Sequence, residues 1–145
     1  MFYKHKQMGH LIIWSSLPIF LIMSGILINN GFERTTFITF LIVLFIIGSF
    51  ASLEVSIDQE YLRLKFGYGI YRRKFKLTDI SSAKIVKNHW YYGWGIRYWI
   101  WRPMWIYNVS GFDAIEIQTK DGKRHRIGTD EPEKLEDTLK NQLKK

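Results

Sequence analysis

The sequence predicts a membrane α-helical hairpin followed by a mainly-β domain, a bent antiparallel barrel or sandwich of six or seven strands capped by one C-terminal helix. Three observations predict it. Two uncharged apolar runs occupy 11–28 and 35–53. From 54 to about 127, apolar and polar side chains alternate in short stretches divided by turn residues. From 130 onward the apolar spacing changes to four.

The two apolar runs hold 18 and 19 residues. As helices they would be roughly 27–28 Å long, close to the roughly 30 Å hydrocarbon core of a bilayer. Neither shows a polar stripe at helical spacing, so neither reads as the surface helix of a soluble protein. A pair of buried core helices would need more chain around it than the remaining residues supply. A cleaved signal peptide is a poorer reading of the first run. That run exceeds the usual 7–15 apolar residues, has no small-residue cleavage pattern after it, and is followed directly by a second span.

Only Asn29-Asn30-Gly31-Phe32-Glu33-Arg34 joins the runs, which forces an antiparallel hairpin. Lys4 and Lys6 precede it, Glu33 and Arg34 cancel in the loop, and Arg63, Lys65, Arg72, Arg73 and Lys74 follow. This lysine and arginine bias predicts a multi-pass protein of the cell membrane with both termini cytoplasmic. The expected organisation is a cytoplasmic N-terminus (1–10), a first span (11–28), an external loop (29–34), a second span (35–53) and a cytoplasmic domain (54–145).

The 145 residues carry a formal net charge of +8 and no cysteine. Disulfides, thiolate metal sites and cysteine nucleophiles are therefore excluded. Residues 54–145 hold 18 lysines and arginines against 12 acids. A basic domain tethered beside an anionic leaflet is drawn toward it.

Leu62, Leu64 and Phe66 alternate with Tyr61, Arg63 and Lys65, the period of a strand with one buried face. Val55 and Ile57 start a strand before the polar turn Asp58-Gln59-Glu60, and Gly67-Tyr68-Gly69 forms the next turn. Tyr71, Arg73, Phe75 and Leu77 share one phase of a further strand, and 80–86 makes a weaker one. Residues 105–109 and 114–119 follow, and Asp121-Gly122 is a hairpin turn to 123–127. Asp130 and Glu133 fit a capping box with Pro132 in the first helical turn. Leu135, Leu139 and Leu143 then form one stripe, and Lys140, Lys144 and Lys145 suit the helix's negative C-terminal end.

Five of the six tryptophans fall between Trp90 and Trp105. Gly93 and Gly95 read as a turn, since a third glycine and a strand–turn–helix context are missing. Both phases of the segment are aromatic, so neither face is expected to lie bare in water. It would close the barrel, lie in the bilayer interface or bind a partner. The candidate binding residues are Trp94, Arg97, Trp99, Trp101, Arg102 and Trp105. Arg72, Arg73 and Lys74 on one strand, and Lys123, Arg124 and Arg126 on another, form basic faces suited to anionic lipid headgroups. Four scattered histidines give no metal spacing, no serine stands in a nucleophile pattern, and no cofactor is expected.

Residues 70–80 (IYRRKFKLTDI), Tyr107-Asn108-Val109-Ser110-Gly111, Ala114-Ile115-Glu116-Ile117 and 127–135 resemble the bacterial pleckstrin-homology (PH-like) family. The resemblance covers most of 54–145. It implies a seven-stranded bent antiparallel barrel with a C-terminal helix, often membrane-attached, and no general catalytic set. Eukaryotic PH domains often bind inositol lipids through basic residues of the first hairpin; the corresponding turn here, Asp58-Gln59-Glu60, is acidic. The expected function is a non-enzymatic, membrane-anchored interaction or scaffold module. Its partners would be the lipid bilayer, anionic headgroups, and a protein partner or a second copy; nucleic acid is not favoured beside a membrane hairpin. The alternative is an immunity protein against a membrane-active bacteriocin, for which no diagnostic motif is present.

Overall fold

The computed structural model describes residues 1–144, so Lys145 lies outside the described residues. The chain runs β1 (Tyr3–Met8), α1 (His10–Asn29), α2 (Arg34–Ser49), β2 (Ser52–Ile57), β3 (Tyr61–Phe66), β4 (Arg72–Lys76), β5 (Ile80–Lys87), β6 (Gly95–Trp99), β7 (Met104–Asn108), β8 (Asp113–Thr119), β9 (Arg124–Gly128) and α3 (Pro132–Leu143). One sheet has the order β1-β2-β3-β4 and the other β5-β8-β9-β7-β6.

This is the sheet-rich fold the alternation predicts, with two corrections. The described residues form nine strands rather than six or seven. The sheets are also not wholly antiparallel, because β7 pairs with β9 in parallel. The chain passes from β7 to β8 and then returns β9 into the gap between them. Gly128 makes the fit possible: a Cβ there would lie 2.1 Å from Asn108 Oδ1.

The N-terminal residues, expected only as a cytoplasmic tail, form β1. It pairs with β2 in register, from Tyr3 opposite Ile57 to Met8 opposite Ser52. The two helices are thus an excursion between neighbouring strands. At the neck the Gly9 amide donates to Ala51 O at 2.7 Å. A Cβ on Gly9 would sit 3.1 Å from both Ala51 O and Val109 O. On the other side, Tyr68 of the β3–β4 turn stacks on Phe45 and lies over Gly48.

By length and composition α1 can cross a membrane. The second helix ends at Ser49, short of the expected 35–53, because Ser52 and Leu53 join β2. Its 16 residues give about 24 Å. No residue of either helix is buried, and they meet at Phe20 and Phe40, whose rings lie 5.4 Å apart.

Between the sheets Val55, Ile57, Leu62, Leu64, Phe66, Ile115 and Ile117 are buried in one core, as the alternation predicts, together with Ile127 and with Leu53, which was expected in the second span. The α3 helix packs on β5 and β8 and adds Leu135 and Leu139 to that core. Its expected capping box does not form. The N-cap is Glu131, whose amide bonds to Thr129 Oγ1 at 3.1 Å. Asp130 instead meets His5 Nε2 at 2.5 Å, and Glu131 approaches His5 Nδ1 at 3.4 Å. The N-terminal strand and the C-terminal helix are clasped together there.

The other face of the five-stranded sheet holds an ion pair. Arg126 Nε donates to Glu116 Oε2 at 2.9 Å, with side chains 13% and 5% exposed. Burial alone would push the Glu116 carboxyl up. The hydrogen bond and charge of Arg126, with Lys84 at 3.3 Å, outweigh it and hold the carboxyl low. Arg126 therefore leaves the basic face expected of it. Replacing Arg126 with Met should lower stability by about 3 kcal/mol, because buried Glu116 loses its closest partner and keeps only the exposed Lys84. Urea unfolding of the detergent-solubilised chain reads this. Adding Glu116→Leu should restore most of the loss, since both partners are then apolar.

Candidate functional site

The aromatic segment covers itself. After β5, Trp90–Tyr92 makes a single 3-10 turn, and Gly93 (φ 70°) and Gly95 (φ 97°) reverse the chain into β6. These are left-handed conformations that glycine alone adopts without strain. The β6–β7 hairpin then presents two faces. On one, Ile96, Tyr98, Trp105 and Tyr107 continue the face of the main core, with Trp105 stacked on Tyr107 at 6.4 Å. On the other, Trp99, Met104 and Ile106 enclose Tyr92 of the preceding turn in a small second cluster. Arg126 lies over the Tyr92 ring at 5.5 Å and hydrogen-bonds Lys87 O and Asn88 Oδ1, fixing the turn in place. The segment's own first half covers the Trp99, Met104 and Ile106 face, whereas Tyr98, Ile100, Trp101 and Trp105 stay exposed, so the expectation that neither face lies bare is met only in part.

Five of the six candidate residues separate into two groups. Trp94 and Arg97 stand at the neck, bordering one recess with Ile12, Ile46 and Phe50 of the helix base. Arg97 Nε donates to Trp94 O at 3.2 Å. The Trp94 indole N–H is buried without a partner, an arrangement that costs free energy unless something supplies an acceptor. Trp99, Trp101 and Arg102 lie at the other end of the hairpin. With His89, Tyr91 and Tyr92 they wall a cleft of about 260 Å³. His89 stacks on Tyr91 at 4.9 Å, and Tyr91 meets Trp99 at 5.6 Å. Trp105 belongs to neither group; it packs between Tyr98 and Tyr107.

Three of the six basic-face candidates, Arg73, Lys74 and Lys123, converge although they are separate in sequence. A cleft of about 560 Å³ opens between β4 and the β8–β9 turn. Arg73, Lys74 and Lys76 line it from β4, and Lys120 and Lys123 from the turn. Tyr61, Phe75 and His125 supply rings. Arg73 lies over Phe75 at 5.7 Å and Lys74 over Tyr61 at 5.2 Å. Arg72 instead bonds Gly69 O at 2.8 Å, and Arg124 lines a separate recess beside Tyr98. Sequence reasoning missed Tyr61, Phe75 and Lys120 as members of this site; Lys76 and His125 stand within the two basic runs the sequence shows. The alternation marks Phe75 as inward, but nothing local shows that the Asp121-Gly122 turn stands opposite β4.

His125 is buried, its ring 4.7 Å from Phe75 and stacked on Tyr107 at 6.1 Å. Burial first, then the Arg73 charge, lowers its pKa from 6.5 to about 4. Asp121, held to about 2 by its bonds to Thr119 and Lys123, faces it as a weak opposing charge. Among the described residues, no group of three or more His, Cys, Asp or Glu side chains is placed to hold a metal.

No family model matches this chain, no curated protein is similar to it, and no solved structure resembles it.

Between pH 6.5 and about 4 the unfolded chain binds a proton at His125 that the folded chain refuses. Stability is therefore full above 6.5 and falls as the pH drops toward 4, by about 3 kcal/mol in all. The carboxyls of Asp58, Glu116, Asp121 and Glu136 are all held below their ordinary values. The melting temperature should decline from pH 7 to 4.5 in the wild type, and much less in His125→Phe. Parallel curves would refute the assignment.

Proposed function

We propose that this chain is a non-catalytic interaction module of the PH-like kind, held at the inner face of a bacterial cell membrane by its helical hairpin. A protein partner docks on the far end of the aromatic hairpin. One observation carries this reading: Ile100 and Trp101, 77% and 87% exposed, stand beside Arg102 at the tip of a hairpin whose base touches the helices. Exposed Trp and Arg next to an aromatic-walled cleft have the chemistry of an interface hot spot.

The bilayer is the natural cover for α1 and α2, whose apolar side chains face outward all round. The short α2 is accommodated by local thinning and by Phe32 and Phe50 at its ends. The same bilayer does not account for the tip. From Gly95 to the tip is about 16 Å along β6. The headgroup layer is only about 5–7 Å thick on each side. Trp94, at the base, is the ring placed for the interface, and Trp101 the one placed for a protein. Two sheets closed by α3 support the PH-like reading, while the inserted β6–β7 hairpin and its parallel join depart from the family pattern.

Replacing Ile100 and Trp101 together with Ser should abolish partner capture. A photo-crosslinker carried at position 101 in intact membranes should yield a discrete protein adduct. Recovery of lipid adducts alone would sink the protein-partner reading. For topology, reporter fusions at Gly31 and at the C-terminus should report outside and inside respectively. Reporters on opposite sides would replace the hairpin with a single crossing.

A further inference from the structure

We infer that the cleft between β4 and the β8–β9 turn binds a small phosphorylated ligand, of about nucleotide size, drawn from solution. This goes beyond the aromatic hairpin and does not depend on it. Five cations converge from two segments far apart in sequence, Arg73, Lys74 and Lys76 on one rim and Lys120 and Lys123 on the other, against two carboxylates in the same lining, Asp79 and Asp121, so positive charge predominates. Among the described residues, only Lys123 of the five has a carboxylate within 4.0 Å, Asp121 at 3.0 Å. Elsewhere on this domain Arg63 pairs with Asp58, Lys84 and Arg126 with Glu116, Lys87 with Asp113 and Lys140 with Glu136, while Arg72 and Arg97 bond backbone carbonyls; what sets the cleft apart is that its cations converge on one concavity.

Like charges gathered around a concavity raise the local potential and favour an anion that neutralises several at once. A phosphoryl group brings a charge of about −1.5 to −2 and three acceptor oxygens. Arg73 can meet it in a bidentate fork and the lysines as point charges. The floor of the cleft is apolar, formed by the Phe75 and His125 rings. That suits a ligand with a ring or other apolar part beside its phosphate. The volume of about 560 Å³ lies within the roughly 300–1,000 Å³ typical of small-molecule sites.

The source of the phosphate follows from position. Tyr61, which lines the cleft, stands opposite Lys76 at one end of the first sheet. Phe66, at the other end of β3, touches Phe50 at the helix base. The five residue steps between them span about 17 Å. The outer rim of the cleft, at Tyr61 and Lys76, therefore lies away from the neck and is open to soluble ligands, while Arg73 and Lys74, opposite Leu64 and Arg63, reach back part of the way along β3.

The test uses the full chain in phosphatidylcholine nanodiscs at physiological salt. Inorganic pyrophosphate and a nucleoside diphosphate are titrated calorimetrically. Separately, vesicles rich in phosphatidylglycerol are offered. Both soluble probes should bind. Arg73→Ser with Lys123→Ser, one exposed residue from each rim, should weaken them by at least about tenfold, while Lys134→Ser with Lys144→Ser on α3, the same charge change elsewhere, should alter them by less than about twofold. Lys74→Ser with Lys120→Ser should repeat the loss and guards against a folding defect in the first pair. Absence of binding by either probe would overturn the inference, as would equal loss in the α3 variant. Rim-dependent binding of vesicles without binding of the soluble probes would assign the site to a lipid headgroup and overturn the soluble source. Capture through Trp101 is measured apart from all of these.

Discussion

The pairing of β1 with β2 across the base of the helices is the constraint on which the rest of the molecule depends. Strands more than 40 residues apart in sequence meet in a six-residue antiparallel ladder, and everything between their facing ends leaves the domain and returns. Backbone hydrogen bonds close that neck, and glycine is needed where carbonyls crowd it, at Gly9 and at Gly67, where a Cβ would lie 2.5 Å from Gly48 O and Ser49 O. A neck this tight gives the domain two unlike ends. One carries Ile12, Phe50, Tyr68 and Trp94 around the helix base; the other carries the aromatic tip and the basic cleft.

The aromatic segment illustrates how a sequence that is apolar in both phases is accommodated. A strand can bury one face on a core, but the second face needs its own cover. Here the cover comes from the residues just before it. The Trp90–Tyr92 turn folds back over β7, with Tyr92 inserted beside Met104 and Ile106. The half-buried Arg126–Glu116 pair sits beneath that turn and links it to β9 and β8. Removing the cation would therefore disturb the aromatic cleft as well as stability, through the Asn88 and Tyr92 contacts.

Much of the fold was legible because its signals are local. The strict period two of 61–66 returns as β3, the Asp121-Gly122 turn closes β8 onto β9, and leucines four apart mark the buried stripe of α3. What escaped was non-local. Tyr3 and Gln7 alternate with Lys4 and Lys6, but so short and polar a stretch declares itself a strand only when its partner β2 is in view. The parallel insertion of β9 has no local signature at all. Asp130 and Glu133 have the spacing of a capping box, yet Asp130 is drawn to His5, a tertiary ion pair that no spacing rule contains. Of the site, residue types were readable and grouping was not. Trp94 and Trp101 are seven residues apart and serve opposite ends, while Arg73 and Lys123 are fifty apart and share a cleft.

The charge pattern follows the same two-ended logic. A basic domain beside an anionic leaflet is attracted to it, but only over the reach of the leaflet's potential. At physiological salt that potential decays with a length of about 8 Å. At about 17 Å from the neck, roughly one-eighth of it remains. Lys76, opposite Tyr61, lies at that distance, whereas Arg73 and Lys74, opposite Leu64 and Arg63, lie nearer the neck; among the described residues none of Arg73, Lys74, Lys76 and Lys120 has a carboxylate within 4.0 Å, although Asp79 and Asp121 line the same cleft. In the proposed membrane-bound arrangement, Lys6 and Lys65, on the first sheet beside the neck, would lie nearer the leaflet than Lys76 does. Attraction to that leaflet would then act on the base of the domain and would not by itself account for the basic residues at its outer rim.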